Sequence, residues 1–177
     1  MKLNPKKFVA QVDAAFVHSL SSFGFEPAGE DHEDDWHASR TYRAGDRYIE
    51  INANCHFRDG QPECRVVLGD GPNDWPERDW NAIALWRLSN TGDNYPIQKI
   101  EDVPSILKTM ANDLLEQADD FLSGNIDRFL KQRAAQNRER EPYMIQSPQP
   151  DGSYQTTYEP ESLQLKERYS QEKRHNQ

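Results

Sequence analysis

The 177-residue sequence predicts an α+β fold. The expected order is an N-terminal helix, an antiparallel meander of three or four strands, two later helices packed on one sheet face, and a polar C-terminal extension. Three observations carry this. Residues 36–69 hold three runs of alternating apolar and polar residues, split by turn signals at Ala44–Arg47 and Arg58–Gln61. Apolar residues recur at three- and four-residue steps on both sides of that stretch. The helical and extended patterns are segregated along the chain, which favours helices gathered on one sheet face over a parallel βαβ arrangement.

Taken in order, Asn4-Pro5 opens the first helix, with Asn as N-cap and Pro at the first helical position. Phe8, Val12, Ala15, Phe16, Leu20 and Phe23 form its apolar stripe, and Gly24 ends it. Phe25 then enters a loop that Pro27, Gly29 and a cluster of acids carry to the first strand. With Gly45-Asp46 as a two-residue hairpin loop, Tyr42 faces Ile49, Arg40 faces Ile51, Ala38 faces Ala53 and Trp36 faces Cys55. With Asp59-Gly60 as the second loop, Cys55 faces Cys64, Ala53 faces Val66 and Ile51 faces Leu68. The two-residue period puts Trp36, Ala38, Tyr42, Ile49, Ile51, Ala53, Cys55, Phe57, Val66 and Leu68 on one face. His37, Ser39, Thr41, Arg43, Asn52, Asn54, His56 and Arg65 fall on the other, which is expected to be wet. Arg40 is the odd member of the apolar face. Its stem is expected to pack while its head reaches the sheet margin, with a buried anion or carboxylate site as the alternative.

Asp70 to Trp80 holds two prolines, a glycine and several acids, and reads as a loop. Asn81–Leu88 reads as a fourth strand, with a short helix from near Glu77 as the alternative, and Thr91–Asn94 as a turn. Asp102 is the expected N-cap of a helix whose stripe runs from Val103 to Leu122, stopped by Gly124. Asn125 caps a third helix that is polar all round beyond Arg133, so it is expected to project into solvent or to support itself with charge pairs. The domain is expected to span 1–141. Residues 142–177 form the extension, with a hairpin around Ser147–Ser153 and a last helix from Pro160 anchored by Leu163 and Tyr169. Such a tail docks back, meets a partner or stays loose.

A net charge of −9 and a pI near 5.0 argue against a nucleic-acid binder and against an anionic membrane surface. The charge is uneven. Fourteen acids face six arginines between Glu26 and Trp80, an excess of eight negative charges. Such a field keeps a protein soluble or steers a basic partner. No secretory hydrophobic region and no membrane-spanning stretch is found in the sequence, and two cysteines make no disulfide framework, so the expected compartment is the cytoplasm.

No catalytic or metal-binding motif of known spacing is found, and no cofactor is expected. Cys55-His56 and Cys64 do not fit a zinc ribbon, and read as two core thiols. Asp31–His37 is dense in metal-ligand types but lacks a calcium-loop pattern, and reads as a solvated acid loop. Glu50 or Glu63 could pair with His56 for acid–base work; a solvated surface is the preferred reading. Trp75 and Trp80 stand among acids. They read either as interface anchors or as a loop folded over one end of the sheet. The candidate partner-binding residues are therefore Asp34, Asp35, Asp70, Asp74, Trp75, Glu77, Asp79 and Trp80.

The helix ending in Gly24-Phe25, the meander, and a late helix ending Phe121–Asn125 before an Arg-rich helix resemble small acidic α+β bacterial proteins. Many of these are uncharacterised, and some are toxin-immunity proteins. The resemblance covers roughly residues 8–133 and transfers no functional residue. It implies a non-enzymatic protein that uses an acidic surface to bind a basic protein partner. The alternative is a small metal-dependent hydrolase using His37, His56 and nearby carboxylates, and a third expectation is a homo-oligomer formed through the extension.

Overall fold

The computed structural model describes residues 1–33, 35–56, 60–89 and 93–175. The chain is α+β, as the segregated patterns predict. Helix α1 (Pro5–Ser21) is capped by Asn4, whose Oδ1 accepts the Lys7 amide at 3.0 Å. Strands β1 (Glu26–Glu33), β2 (His37–Ala44), β3 (Arg47–Asn54) and β4 (Glu63–Asp70) follow, all antiparallel and in spatial order. Next come α2 (Glu77–Asn81), β5 (Ala82–Ala84), α3 (Trp86–Ser89) and β6 (Tyr95–Pro96). Strand β5 pairs with β4 at Val67–Gly69, and β6 pairs with it at Glu63–Cys64. The chain ends with α4 (Val103–Gln117), α5 (Asp119–Ser123), α6 (Asp127–Glu139), the hairpin β7 (Met144–Pro148) and β8 (Tyr154–Tyr158), and α7 (Pro160–His175).

Helices α1 and α4 cover one face of the sheet. Phe8, Val12, Phe16 and Leu20 from α1, with Leu107, Met110 and Leu114 from α4, meet Tyr42, Ile49, Ile51, Ala53, Val66 and Leu68 in a single core. The apolar face read from the alternation is thus the buried one. Phe57, also expected there, lies outside the described residues.

The first hairpin has the expected register, with Tyr42 opposite Ile49, Arg40 opposite Ile51 and Ala38 opposite Ala53. The second is shifted by two residues: Ile49 faces Leu68, Ile51 faces Val66 and Ala53 faces Cys64, so Cys55 does not oppose Cys64. The connection is longer than Asp59-Gly60 alone, of which Asp59 lies outside the described residues. The strands part after the Asn54–Glu63 pair. Asn54 Oδ1 accepts the His56 amide at 2.9 Å, and the Cys55 amide turns to the Trp36 carbonyl at 2.7 Å. A shift of two leaves every side chain on its own face, which is why the core assignment survives the wrong register.

Four other expectations need correction. Residues 26–33 form a strand, not a loop. As the sheet edge it pairs on one side only, so Pro27 and a bulge before Gly29 cost no ladder bond in the interior. Asn81–Leu88 is neither one strand nor one helix, but the three-residue β5 between two short helices. The helix after Asp102 breaks at Ala118, where Asp119 and Asp120 accept the amides of Asp120 and Phe121 at 2.7 and 2.8 Å and compete with the helical ladder. Asp102 takes the expected N-cap position, but its side chain makes no capping bond to the helix; its carboxylate accepts the Lys99 amide at 3.2 Å instead. The Thr91-Gly92 part of the expected turn lies outside the described residues.

Arg40 clamps α1 to the sheet. It donates to both oxygens of Asp13, at 2.9 and 3.1 Å, while the Tyr42 hydroxyl donates to Asp13 Oδ1 at 2.7 Å. The half-buried arginine finds its carboxylate on the chain's own helix, and its Nη1 reaches Glu30 at the sheet margin, 3.5 Å away. Burial, then the Asp13 bond, raises the Tyr42 phenol above its ordinary range.

Candidate functional site

The second face of the sheet is wet only in part: Arg65 is exposed and His37, Arg43, Asn54 and His56 are half-buried, but the centre of the face is covered. Glu50 is 2% exposed, Ser39 5% and Asn52 8%. Asn52 donates to Glu50 Oε1 at 2.9 Å, and Arg78 from α2 stands 3.6 Å from the same oxygen. Glu50 is therefore internal to the fold, which corrects the solvated reading for Glu50; Glu63 and His56 are half-buried, and the His56 ring lies 4.5 Å from that of Trp36. Tyr48 lies flat across Gly69, where an added Cβ would sit 2.0 Å from the ring. Arg43 stacks on that ring at 5.0 Å.

At the β4 end of this face the acidic loop meets the C-terminal extension. The polar end of α6 does not project into solvent. Asn137 is fully buried and donates to the Trp80 carbonyl at 2.7 Å, and Gln136 donates to the Ala82 carbonyl at 3.1 Å. Helix α7 packs on α2 and α6. Tyr169 stacks on Trp80 with ring centroids 5.9 Å apart, and the buried leucine of α7 is Leu165, whereas Leu163 is exposed. Trp80 is consequently 0% exposed and cannot reach a partner; the folded-over reading applies to it.

Trp75 stands apart at 62% exposed. One side of its ring rests on Tyr143, centroids 5.6 Å apart. The Tyr143 hydroxyl donates to Asp79 Oδ2, and burial followed by that bond pushes its pKa up to about 12. Asp79 also has Arg140 at 4.0 Å, and Glu77 has Arg168 at 3.4 Å. Two of the acids counted as excess thus meet cations from later in the chain, Arg140 at the end of α6 and Arg168 in the extension. Asp74 is exposed, and Asp70 is half-buried at the end of β4 opposite Arg47. Asp35 lies at the other end of the strands, roughly 23 Å away for seven strand steps, and is paired with Lys2 at 2.6 Å. The Lys2 ammonium lowers the Asp35 carboxyl. Asp34 lies outside the described residues. The predicted residues therefore do not form one site: Asp70 to Asp79 cluster, and Asp35 does not join them.

Sequence reasoning expected a hairpin here but did not count it among the candidate partner-binding residues. Tyr143 leads into the hairpin, whose strand residues are all exposed, with Met144 and Tyr154 at 68% and Tyr158 at 52%. Of the seven large hydrophobic residues exposed among those described, five are Trp75, Met144, Ile145, Tyr154 and Tyr158, which places most of the exposed apolar surface on this loop and hairpin. One signal was available: residues 142–158 contain a single charge, Asp151, in a chain that is 29% charged.

Among the described residues no group of three or more His, Cys, Asp or Glu side chains converges to hold a metal ion, and no helix is long and apolar enough to cross a membrane. No protein-family model matches the chain, and no curated protein and no solved structure matches it.

Proposed function

We propose that the chain is a non-enzymatic protein-binding protein of the cytoplasm. Its docking surface runs from Trp75 over Tyr143 onto the hairpin, with Asp70, Asp74 and Glu77 at its rim to meet a basic partner. The observation that carries the reading is the concentration of exposed aromatic and apolar side chains on this one loop and hairpin. Clustered Trp and Tyr beside charged groups are the composition of interface anchors. An immunity-type role against a basic toxin is the biological form that the sequence resemblance suggests. The test is a pull-down with the full chain and with Trp75→Ala. Wild type should retain a basic protein that high salt releases, and Trp75→Ala should lose most of it; no capture at any ionic strength would overturn the reading. A metal-dependent hydrolase remains the rival. It would need a stoichiometric metal in the purified protein.

The hairpin also supports a second reading, a homodimer in which β8 pairs with its copy. An isolated two-stranded sheet leaves both edges open, and β8 carries neither proline nor charge. Thr156→Lys would place a charge at the centre of that edge. If the reading holds, size measurements should show a dimer that this substitution abolishes.

A further inference from the structure

The chain is acidic overall, yet three arginines from three separate elements converge on one groove. Arg65 reaches it from β4, Arg87 from α3 and Arg140 from the C-terminus of α6. The groove has a volume of about 290 Å³, close to the lower end for ligand pockets, and its floor is Val67 and strand β5. Asn94 and Gln136 add amide groups, and Asp79 is the one carboxylate among the described lining residues.

The donors are incompletely used. Arg65 is held by Glu63, with Nε at 2.6 Å. Arg140 is 4.0 Å from Asp79, too long for a hydrogen bond; its Nη1 makes one long bond, 3.5 Å, to the Tyr143 hydroxyl, its guanidinium lies 5.7 Å over the Trp80 ring, and its Nε has no hydrogen-bond partner among the described residues. Arg87 lies against the Trp86 ring at 4.6 Å and has no carboxylate within ion-pair distance among the described residues. Among the described residues one guanidinium is thus free of acids, and a second has no acid within hydrogen-bond distance. A guanidinium fork matches the two oxygens of a carboxylate or a phosphate, and loses less than an ammonium would on leaving water.

We propose that this groove binds a small oxyanion-bearing ligand, a carboxylate or a phosphate, gripped by Arg87 and Arg140 over the apolar floor of β5. The groove adjoins the Trp75 surface, since the Tyr143 hydroxyl contacts both Asp79 and Arg140, but the proposal stands whether or not that surface binds a protein. Sodium phosphate and sodium succinate are titrated calorimetrically into the full chain, with sodium chloride at equal ionic strength as the control. A saturable response to either anion, beyond that of chloride, supports the proposal, and which anion binds separates the phosphate source from the carboxylate source. Arg87→Gln should weaken binding at least about tenfold, the usual loss for one charge-assisted hydrogen bond. Asn94→Asp, nearly isosteric, should weaken it through repulsion. Arg138→Gln, outside the groove lining, should bind as wild type. No saturable response to either anion, or wild-type affinity in both Arg87→Gln and Asn94→Asp, would overturn the proposal.

Discussion

The two faces of one sheet are closed by different chemistry. On the first, α1 and α4 bury Ile49, Ile51, Val66 and Leu68 among aromatic and aliphatic side chains. On the second, α2, α6 and α7 close over polar groups, and the contacts are an amide on a carbonyl, an arginine beside a carboxylate and one Tyr–Trp stack. The first face draws on burial, which needs only apolar residues at the right period. The second depends on matched donors and acceptors, and each mismatch there costs the desolvation of the group left over.

Substitutions can separate the two kinds of closure. The largest effect is expected on the apolar face. Ile51→Ala should cost about 2–5 kcal/mol, since the side chain is fully buried between two helices and the sheet. Chemical denaturation should show the midpoint falling with an unchanged slope. Gly69→Ala attacks the other face, where its Cβ would overlap the Tyr48 ring that Gly69 now admits. A loss of about 1–3 kcal/mol, or more if Tyr48 cannot move, is expected from overpacking. If Gly69→Ala were neutral, Tyr48 would not be held where the structure has it. Asn137→Ala should cost about 0.5–1.5 kcal/mol by removing the shorter of two hydrogen bonds to the Trp80 carbonyl, which keeps only the 3.4 Å contact from the Tyr169 hydroxyl. Asn137→Leu should do no better, because the fit depends on the donor rather than on volume; a stabilised Leu variant would show that this face is held by apolar contact after all.

The smallest effect concerns pH. Arg128 lowers the Asp120 carboxyl below its ordinary range, through their hydrogen bond first. A depressed carboxylate contributes stability above the pKa of the unfolded chain, about 3.9, and loses it as pH falls through the lower folded value. Arg128 is 40% exposed, so after screening by solvent the pair contributes about 0.5–1 kcal/mol. Asp120→Asn should remove that much at pH 7 and flatten the loss of stability below about pH 4. Thiol labelling gives an independent check on the first face. Burial pushes Cys64 up to about 12 and raises Cys55, so neither should react with a thiol reagent at neutral pH until the chain unfolds.

The same contrast explains what the sequence revealed. Alternation over 36–55 and 63–68 placed the apolar face correctly, and a register error of two did not disturb it. The polar face was misread because Glu50, Asn52 and Asn137 look like surface residues; only their long-range partners make them interior. Trp80 was indistinguishable from Trp75 for the same reason, since Tyr169, which covers it, lies 89 residues away in sequence. The acid excess was overstated because a count over 26–80 leaves out Arg140 and Arg168, which meet Asp79 and Glu77 from far along the chain. Convergence of Arg65, Arg87 and Arg140 follows from topology and leaves no local pattern.

The claim on which the functional reading rests is that the acidic loop is divided by the docked extension into one exposed and one covered tryptophan. Hydroxyl-radical footprinting of the full chain, read by mass spectrometry at each tryptophan, measures this directly. Trp75 should be modified rapidly and Trp80 protected, with Trp80 gaining reactivity in Tyr169→Ala. Equal modification of Trp75 and Trp80 in the unaltered chain would contradict it.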